Sequence, residues 1–335
     1  MALAPPILEQ TRDRFERTTI ETISEIVADS AQRIERYRQD SNLLNQGIFY
    51  GNEYFNALKE LGQRKRLDFF VNKGSFYHGY VPSKYFKMIE SSSSPSGYLG
   101  FRFIIKAGIK PSEALKALRE GITFIGCGET CQIAWLEAIQ DVLGVEKFNA
   151  LYAADSSTPL TIHFDGAPDS MHGLHRKKNP DEPLRRGDIV YITNDPIYPY
   201  KHLNGEGKGY MAICCSPEDQ TFTSLGLPLR ASREDINRKL IADFNQLPMG
   251  DDFVLPKVAQ KILAACRPDF ISQLKRLRFA TIISEKDFLE NGGGQILCSF
   301  QLDVNRLTQL ARSSLEEARK LFDQWNTATK SASLK

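Results

Sequence analysis

Net charge is nearly absent from this sequence of 335 residues, in which 43 Lys and Arg residues stand against 41 Asp and Glu residues, giving +2. Binding to nucleic-acid phosphates needs clustered cations that no acid compensates, so we expect no nucleic-acid partner. The basic runs at residues 64–66, 176–178 and 275–276 are short. Such runs are typical of a solvated surface.

Long apolar runs are absent as well. No run approaches the ~18 residues that a membrane span needs, so we expect no membrane span. The first residues lack the basic and then apolar pattern of a secretory signal. The sequence therefore predicts a chain made in the cytoplasm, and delivery from a bacterium into a host cell by specialised secretion stays open because it would leave no such mark.

Cysteines are few, and their spacing follows no metal-site pattern. The chain has six: Cys127, Cys131, Cys214, Cys215, Cys266 and Cys298. No CxxC or other zinc-type spacing occurs, and no acidic loop resembles a calcium site. We therefore expect no metal, no cofactor, no calcium dependence and a reducing compartment.

Alternating helix and strand patterns predict an α+β protein. Helical periodicity is expected over residues 8–40, 52–62, 111–120 and most of 254–326, and strands near residues 98–108, 160–166, 188–195 and 209–216. We interpret this as a helical region at residues 1–64, an α+β catalytic domain at 65–250 and a helical region at 251–335.

Cys127 stands between Gly126 and Gly128 at the start of a strongly amphipathic helix. A thiol reacts as its thiolate, which a helix N-terminus stabilises through its dipole and its unpaired N–H groups. The flanking glycines let the backbone turn tightly there. Cys127 is therefore a candidate nucleophile, with Cys131 one turn further as the alternative, although burial as a small apolar side chain is the default for cysteine.

His202 is the best placed of the five histidines to act as a base. It follows the predicted strand at 188–195, in a loop with three glycines before the next strand. Polar groups on loops braced by a sheet are where catalytic residues concentrate. Asp195, at the end of the first of these strands, could orient the imidazole.

Two segments together resemble the spore-coat type of bacterial transglutaminase (protein-glutamine γ-glutamyltransferase). The first is KPSEALKALREGITFIGCGETCQIAWLEAIQDVLGVEKFNALY and the second is RRGDIVYITNDPIYPYKHLNGEGKGYMAI. An ungapped match places the family's nucleophile on Cys127. The resemblance implies a papain-like or NlpC/P60-like core, in which a central antiparallel sheet packs on the helix that carries the cysteine at its N-terminus.

This sequence departs from the family's pattern at two positions. The family has a glutamate before the cysteine, where this chain has Gly126. Its later catalytic glutamate falls near Pro196, so Asp195 is the nearest acidic residue.

The resemblance implies a thiol enzyme that acts on protein glutamine side chains through a cysteine thioester. A lysine or polyamine acceptor would give a cross-link, and water would give deamidation. We expect Gly126 and Gly128 at the oxyanion, and Asn194 and Gly205 at the oxyanion or the substrate. The large terminal additions suggest a dedicated protein partner.

Two other classes stay open. The same Cys-His-Asp logic serves a cysteine peptidase or amidase, which differs mainly in the leaving group. In a non-enzymatic interaction module, Cys127 and Cys131 would both be core residues.

Overall fold

The computed structural model describes residues 5–39, 47–49, 81–91, 100–163, 173–202, 207–247 and 281–332. Gly205 and the helices predicted at 52–62 and over 254–280 lie outside these ranges.

Nine helices and ten strands occupy the described ranges. The helices are α1 Pro5–Gln39, α2 Pro111–Glu120, α3 Cys127–Leu143, α4 Val145–Leu151, α5 Tyr198–Lys201, α6 Arg233–Asn245, α7 Glu285–Glu290, α8 Val304–Arg312 and α9 Leu315–Ala332. The strands are β1 Gly47–Phe49, β2 Phe86–Ser91, β3 Gly100–Ile105, β4 Ile122–Phe124, β5 Thr161–His163, β6 His175–Lys177, β7 Ile189–Thr193, β8 Gly209–Ser216, β9 Thr221–Thr223 and β10 Ile296–Leu302.

The strands form three sheets. The largest has five strands in the order β6-β10-β7-β8-β9, and every neighbouring pair in it is antiparallel. A second antiparallel sheet has the order β2-β3-β5, and β1 pairs in parallel with β4 just before α3. The predicted α+β class and the central antiparallel sheet are confirmed.

Helix α3 is the centre of the larger core, which we call the α3 core. Its side chains are buried on nearly every side because α1 packs along one face and β8 lies against another. Trp135 is fully buried and its indole N–H donates to Gly187 O at 2.8 Å, just before β7. The sheet contributes Ile189, Met211 and Ile213 to this core. The helix is therefore fixed against the sheet over its length.

Alternation along β7 and β8 builds a second core on the opposite face of the sheet, which we call the α6 core. Successive side chains of a strand point to opposite faces, so the neighbours Val190, Ile192 and Ala212 face away from α3. They pack against Leu240 and Phe244 of α6. The five-stranded sheet is thus buried on both faces.

The C-terminal region is not only helical, which corrects our expectation for residues 251–335. Strand β10 is an interior strand of the sheet, between β6 and β7. The sequence of β10, ILCSFQL, is a short apolar run, and such runs do not reveal their strand type by periodicity alone. Helix α1 in turn contributes Phe15, Ile23 and Ile26 to the α3 core. The domain boundaries themselves stay a prediction.

No helix within the described ranges combines the length and apolar character needed to cross a membrane.

Candidate active site

Cys127 is the first residue of α3, as the sequence predicted. Gly126 is the N-cap, with an extended backbone at φ −87° and ψ −177°. Two side-chain hydrogen bonds close this turn: the Gly126 N–H donates to Glu129 Oε2 at 2.7 Å, and Thr130 Oγ1 donates to Gly126 O at 2.8 Å. The start of the helix is therefore rigid, which fixes the position of the thiol.

The Cys127 sulfur lies at the edge of β8. The backbone N–H of Met211 donates to Cys127 Sγ at 3.4 Å. The carbonyl of the same residue accepts from Ser224 Oγ at 2.6 Å, on the side where β9 has ended. The sulfur thus occupies the place that a further residue of β9 would take. An N–H that donates to sulfur favours the thiolate over the thiol.

Exposure separates the two candidate thiols. Cys127 is half-buried, whereas Cys131 is fully buried in the α3 core. Burial raises the pKa of the Cys131 thiol well above its usual value, and the neighbouring charges of Cys127, Glu129 and Cys215 act in the same direction. Because only the thiolate attacks, the geometry favours Cys127 over Cys131 as the nucleophile.

The start of α3 also supplies donors for an oxyanion. The first N–H groups of any helix have no partner inside that helix, and the Gly128 N–H is one of them. The Gly126 N–H is already engaged by the Glu129 carboxylate. Of the two predicted glycines, Gly128 is therefore the better placed donor.

Asn194 and Asp195 hold the turn after β7. Asn194 Nδ2 donates to Gly207 O at 2.6 Å and to Leu240 O at 3.0 Å, so both of its N–H bonds go to main-chain carbonyls. Asp195 is 1% exposed; its carboxylate accepts from the Ile197 N–H at 2.8 Å and from Asn291 Nδ2 at 2.9 Å. These contacts join β7 to α5, α6 and the end of α7.

His202 lies with the α6 core. The residue is 3% exposed, and its ring stacks on Tyr198 with the ring centroids 4.7 Å apart. His202 Nε2 is 3.0 Å from Phe244 O, and because a carbonyl only accepts, this nitrogen carries a proton. Tyr198 and Phe244 belong to the α6 core, while Cys127 packs against the α3 core.

The structure therefore brings together Gly126, Cys127 and Gly128 at one face of the sheet. It places Asn194, Asp195 and His202 with the turn and the core at the other face. The catalytic roles proposed for these six residues stay a prediction.

A second buried histidine near α3 is held neutral. The main-chain N–H of His163 donates to Gln132 Oε1 at 3.0 Å, and Gln132 Nε2 donates back to the main-chain carbonyl of His163 at 2.9 Å. Burial, and after it the charge of Arg102, lowers the pKa of His163 to about 3. His163 is therefore a packed residue of the fold.

Sequence reasoning did not single out Tyr191 or the Met211 N–H. Tyr191 is the cross-strand partner of Met211, and both pack against the α3 core beside Cys127. The signal was present, because Tyr191 is two residues from Ile189 and must share its face. The strand is apolar on both faces, so alternation alone did not show which face meets α3.

Within the described ranges, no cluster of three or more His, Cys, Asp or Glu side chains is arranged to hold a metal ion.

Comparison with known proteins gives a likeness among solved structures. No family model matches the chain, and no curated protein matches it. Among solved structures, the chain is similar to a transglutaminase from Geobacillus stearothermophilus (without its C-terminal extension), with 13% sequence identity and a TM-score of 0.47. That match covers 93% of this chain and 100% of the other.

Proposed function

We propose that this chain is a thiol acyltransferase that acts on glutamine side chains of proteins, with Cys127 as the nucleophile. One observation carries the proposal: a half-buried sulfur stands at the first residue of a buried helix and accepts the Met211 N–H at 3.4 Å. A helix start and a directed N–H are the two features that favour a thiolate.

In the proposed reaction the Cys127 sulfur attacks the carbonyl carbon of a glutamine carboxamide. The sulfur–carbon bond forms, the carbon–nitrogen bond breaks, and the nitrogen leaves as ammonia with the proton that the thiol gave up. An amine then attacks the thioester and releases the sulfur as an isopeptide or a modified glutamine forms. Water in place of the amine gives a glutamate.

The role of Asp195 and His202 as the pair that carries the proton stays a prediction. Their present hydrogen bonds go to Asn291 and to Phe244 O, with the α6 core. To serve Cys127 they would have to exchange these bonds for contact at the other face of the sheet.

The proposal is tested by two readouts on the same samples. We expect the wild-type chain to release ammonia from a lysine-methylated casein, and to attach dansylcadaverine to it if amines are accepted. Cys127→Ala should reduce both signals by up to about 10⁶-fold, as loss of a nucleophile does in other enzymes. Cys298→Ala, which removes the other half-buried thiol near Tyr191, is the matched control and should keep activity.

The two readouts also separate the acceptors. Ammonia release with amine attachment indicates a transglutaminase, and ammonia release with a gain of one acidic group indicates a deamidase. If Cys127→Ala matches the wild type in both readouts, the proposed function is wrong.

A further inference from the structure

Tyr191 lies at the level of the Cys127 sulfur, on the same face of the sheet. It pairs directly with Met211, whose N–H contacts the sulfur. Side chains of directly paired residues in antiparallel strands have Cβ atoms only about 5 Å apart. Tyr191 and Cys127 both pack against the α3 core. The phenol therefore lies on the same face as the thiol and close enough to feel its charge.

Gly209 leaves the room that the Tyr191 ring occupies. A Cβ at Gly209 would stand 2.7 Å from both Cζ and Oη of Tyr191, a distance that real Cβ atoms do not show. The hydroxyl can reach its position only because residue 209 has no side chain. It donates to Lys208 O at 3.2 Å, at the long end of the hydrogen-bond range, so a stronger acceptor could replace that carbonyl.

The Tyr191 hydroxyl keeps its proton at neutral pH. Burial raises the pKa of Tyr191 to about 12, and the charges of Cys127 and Cys298 act in the same direction. A neutral phenol donates a hydrogen bond and does not compete with the thiolate as a second anion.

We infer that Tyr191 is a catalytic hydrogen-bond donor whose hydroxyl binds the oxyanion formed when Cys127 attacks the carboxamide. This inference rests on the proposed function. In the attack the carbonyl π electrons move to oxygen as the sulfur–carbon bond forms. The phenol keeps its covalent O–H bond and turns it from Lys208 O toward this new anion, so no proton is consumed. When the carbon–nitrogen bond breaks, the charge returns to the carbonyl.

The test compares Tyr191→Phe with Tyr210→Phe. Tyr210 is the neighbouring buried tyrosine on β8, but it packs in the α6 core and its hydroxyl donates to Asp243 Oδ2 at 3.0 Å. Each substitution removes one hydroxyl from a ring at this end of the sheet. The Cys127 charge acts on both tyrosines, but the Tyr210 hydroxyl is already bound to the Asp243 carboxylate, so Tyr210→Phe should keep the wild-type kcat.

We expect Tyr191→Phe to lower kcat for ammonia release by about 10²-fold, the usual effect of removing one oxyanion donor, with KM unchanged. The rate at which iodoacetamide alkylates Cys127 should stay at the wild-type value. Alkylation displaces iodide from an sp³ carbon and forms no oxyanion, so it reports on the thiolate alone.

Two results would overturn the inference while leaving the proposed function intact. One is a Tyr191→Phe enzyme that turns over at the wild-type rate. The other is a parallel fall of kcat and alkylation rate, which would mean that Tyr191 only supports the thiol. If the wild-type chain releases no more ammonia than Cys127→Ala, the proposed function fails first and the inference falls with it.

Discussion

The two faces of the five-stranded sheet use their polar groups differently. On the α6 face, the buried side chains of Asn194 and His202 bond to main-chain carbonyls. The buried Asp195 carboxylate accepts from a main-chain N–H and from the Asn291 side chain. On the α3 face, a half-buried sulfur meets the N–H of a strand edge. Buried polar groups that are fully satisfied specify a fold, whereas a nucleophile needs a side open to its substrate. If the proposed function is right, the α6 face is scaffold and the α3 face carries the chemistry.

The largest expected effect in this comparison is a loss of folding stability. Lys178 and Asp188 form an ion pair at 2.6 Å, with side chains 1% and 3% exposed. Lys178→Met would leave the Asp188 carboxylate buried without its cation. Losing one partner of a buried pair costs about 3–5 kcal/mol in the free energy of unfolding, which denaturant titration measures.

Lys177→Met is the matched control, since Lys177 is the exposed neighbour on β6. Burial already raises the pKa of Asp188, so the unpaired acid should take up a proton more readily when folded than when unfolded. Stability of Lys178→Met should therefore rise as the pH falls through this raised pKa. Equal costs for the two lysine variants would contradict the account of this pair.

An intermediate effect is expected at His202, and it bears most directly on the division between the faces. His202→Ala removes the hydrogen bond to Phe244 O and the stacking on Tyr198. We expect a loss of about 1–3 kcal/mol in the free energy of unfolding, because Phe244 O is left without this donor. Turnover per folded molecule separates the two roles, because it stays close to wild type if His202 is scaffold and is lost if His202 is the predicted base.

His202→Gln is the companion variant, because a glutamine amide can still donate to Phe244 O. It should recover part of the lost stability. If both variants instead keep their stability and lose turnover, His202 is the predicted base and the comparison between the faces is broken.

The smallest effect is expected where α1 packs along α3. Arg14 makes two hydrogen bonds of 2.7 Å to the Asp141 carboxylate, and Thr18 donates a third at 3.0 Å. The Arg14 side chain is 51% exposed. Solvent screens such a pair, so Asp141→Asn should cost less than about 1 kcal/mol in a thermal or denaturant melt.

The pH dependence of this pair has a definite sign. The hydrogen bonds from Arg14, more than any other cause, lower the pKa of Asp141 in the folded chain. The stability that Asp141 contributes is therefore present above the unfolded pKa of about 4 and is lost as the pH falls through the lower folded value. The stability curves of wild type and Asp141→Asn should converge in acid; a difference that grows there would contradict the assignment.

Much of the local structure could be predicted from the sequence. The start of α3 at Cys127 follows from the glycines beside it, and β7 and β8 follow from apolar runs bounded by polar loops. These are features of neighbouring residues. The sequence therefore indicated the thiol correctly as the first residue of a helix.

Relations between distant segments could not be predicted in the same way. The pairing of β10 with β7 joins residues about a hundred positions apart, and no pattern in either strand specifies its partner. The side of the sheet on which His202 lies depends on two helices, α5, which follows β7, and α6, which follows β9. Proximity of Asp195 and His202 in sequence suggested a pair, while packing directs their bonds to Asn291 and Phe244.

The central claim, that the Cys127 sulfur forms a thioester with glutamine, is tested most directly by trapping that intermediate. The wild-type chain would be mixed with N-carbobenzoxy-glutaminyl-glycine, quenched in acid and digested for mass spectrometry. We predict a mass increase equal to the donor less ammonia on the peptide that contains Cys127, and reversal of this increase by hydroxylamine. An acyl group found on Cys131 or Cys298, or no acyl group under conditions in which ammonia is released, would contradict the claim.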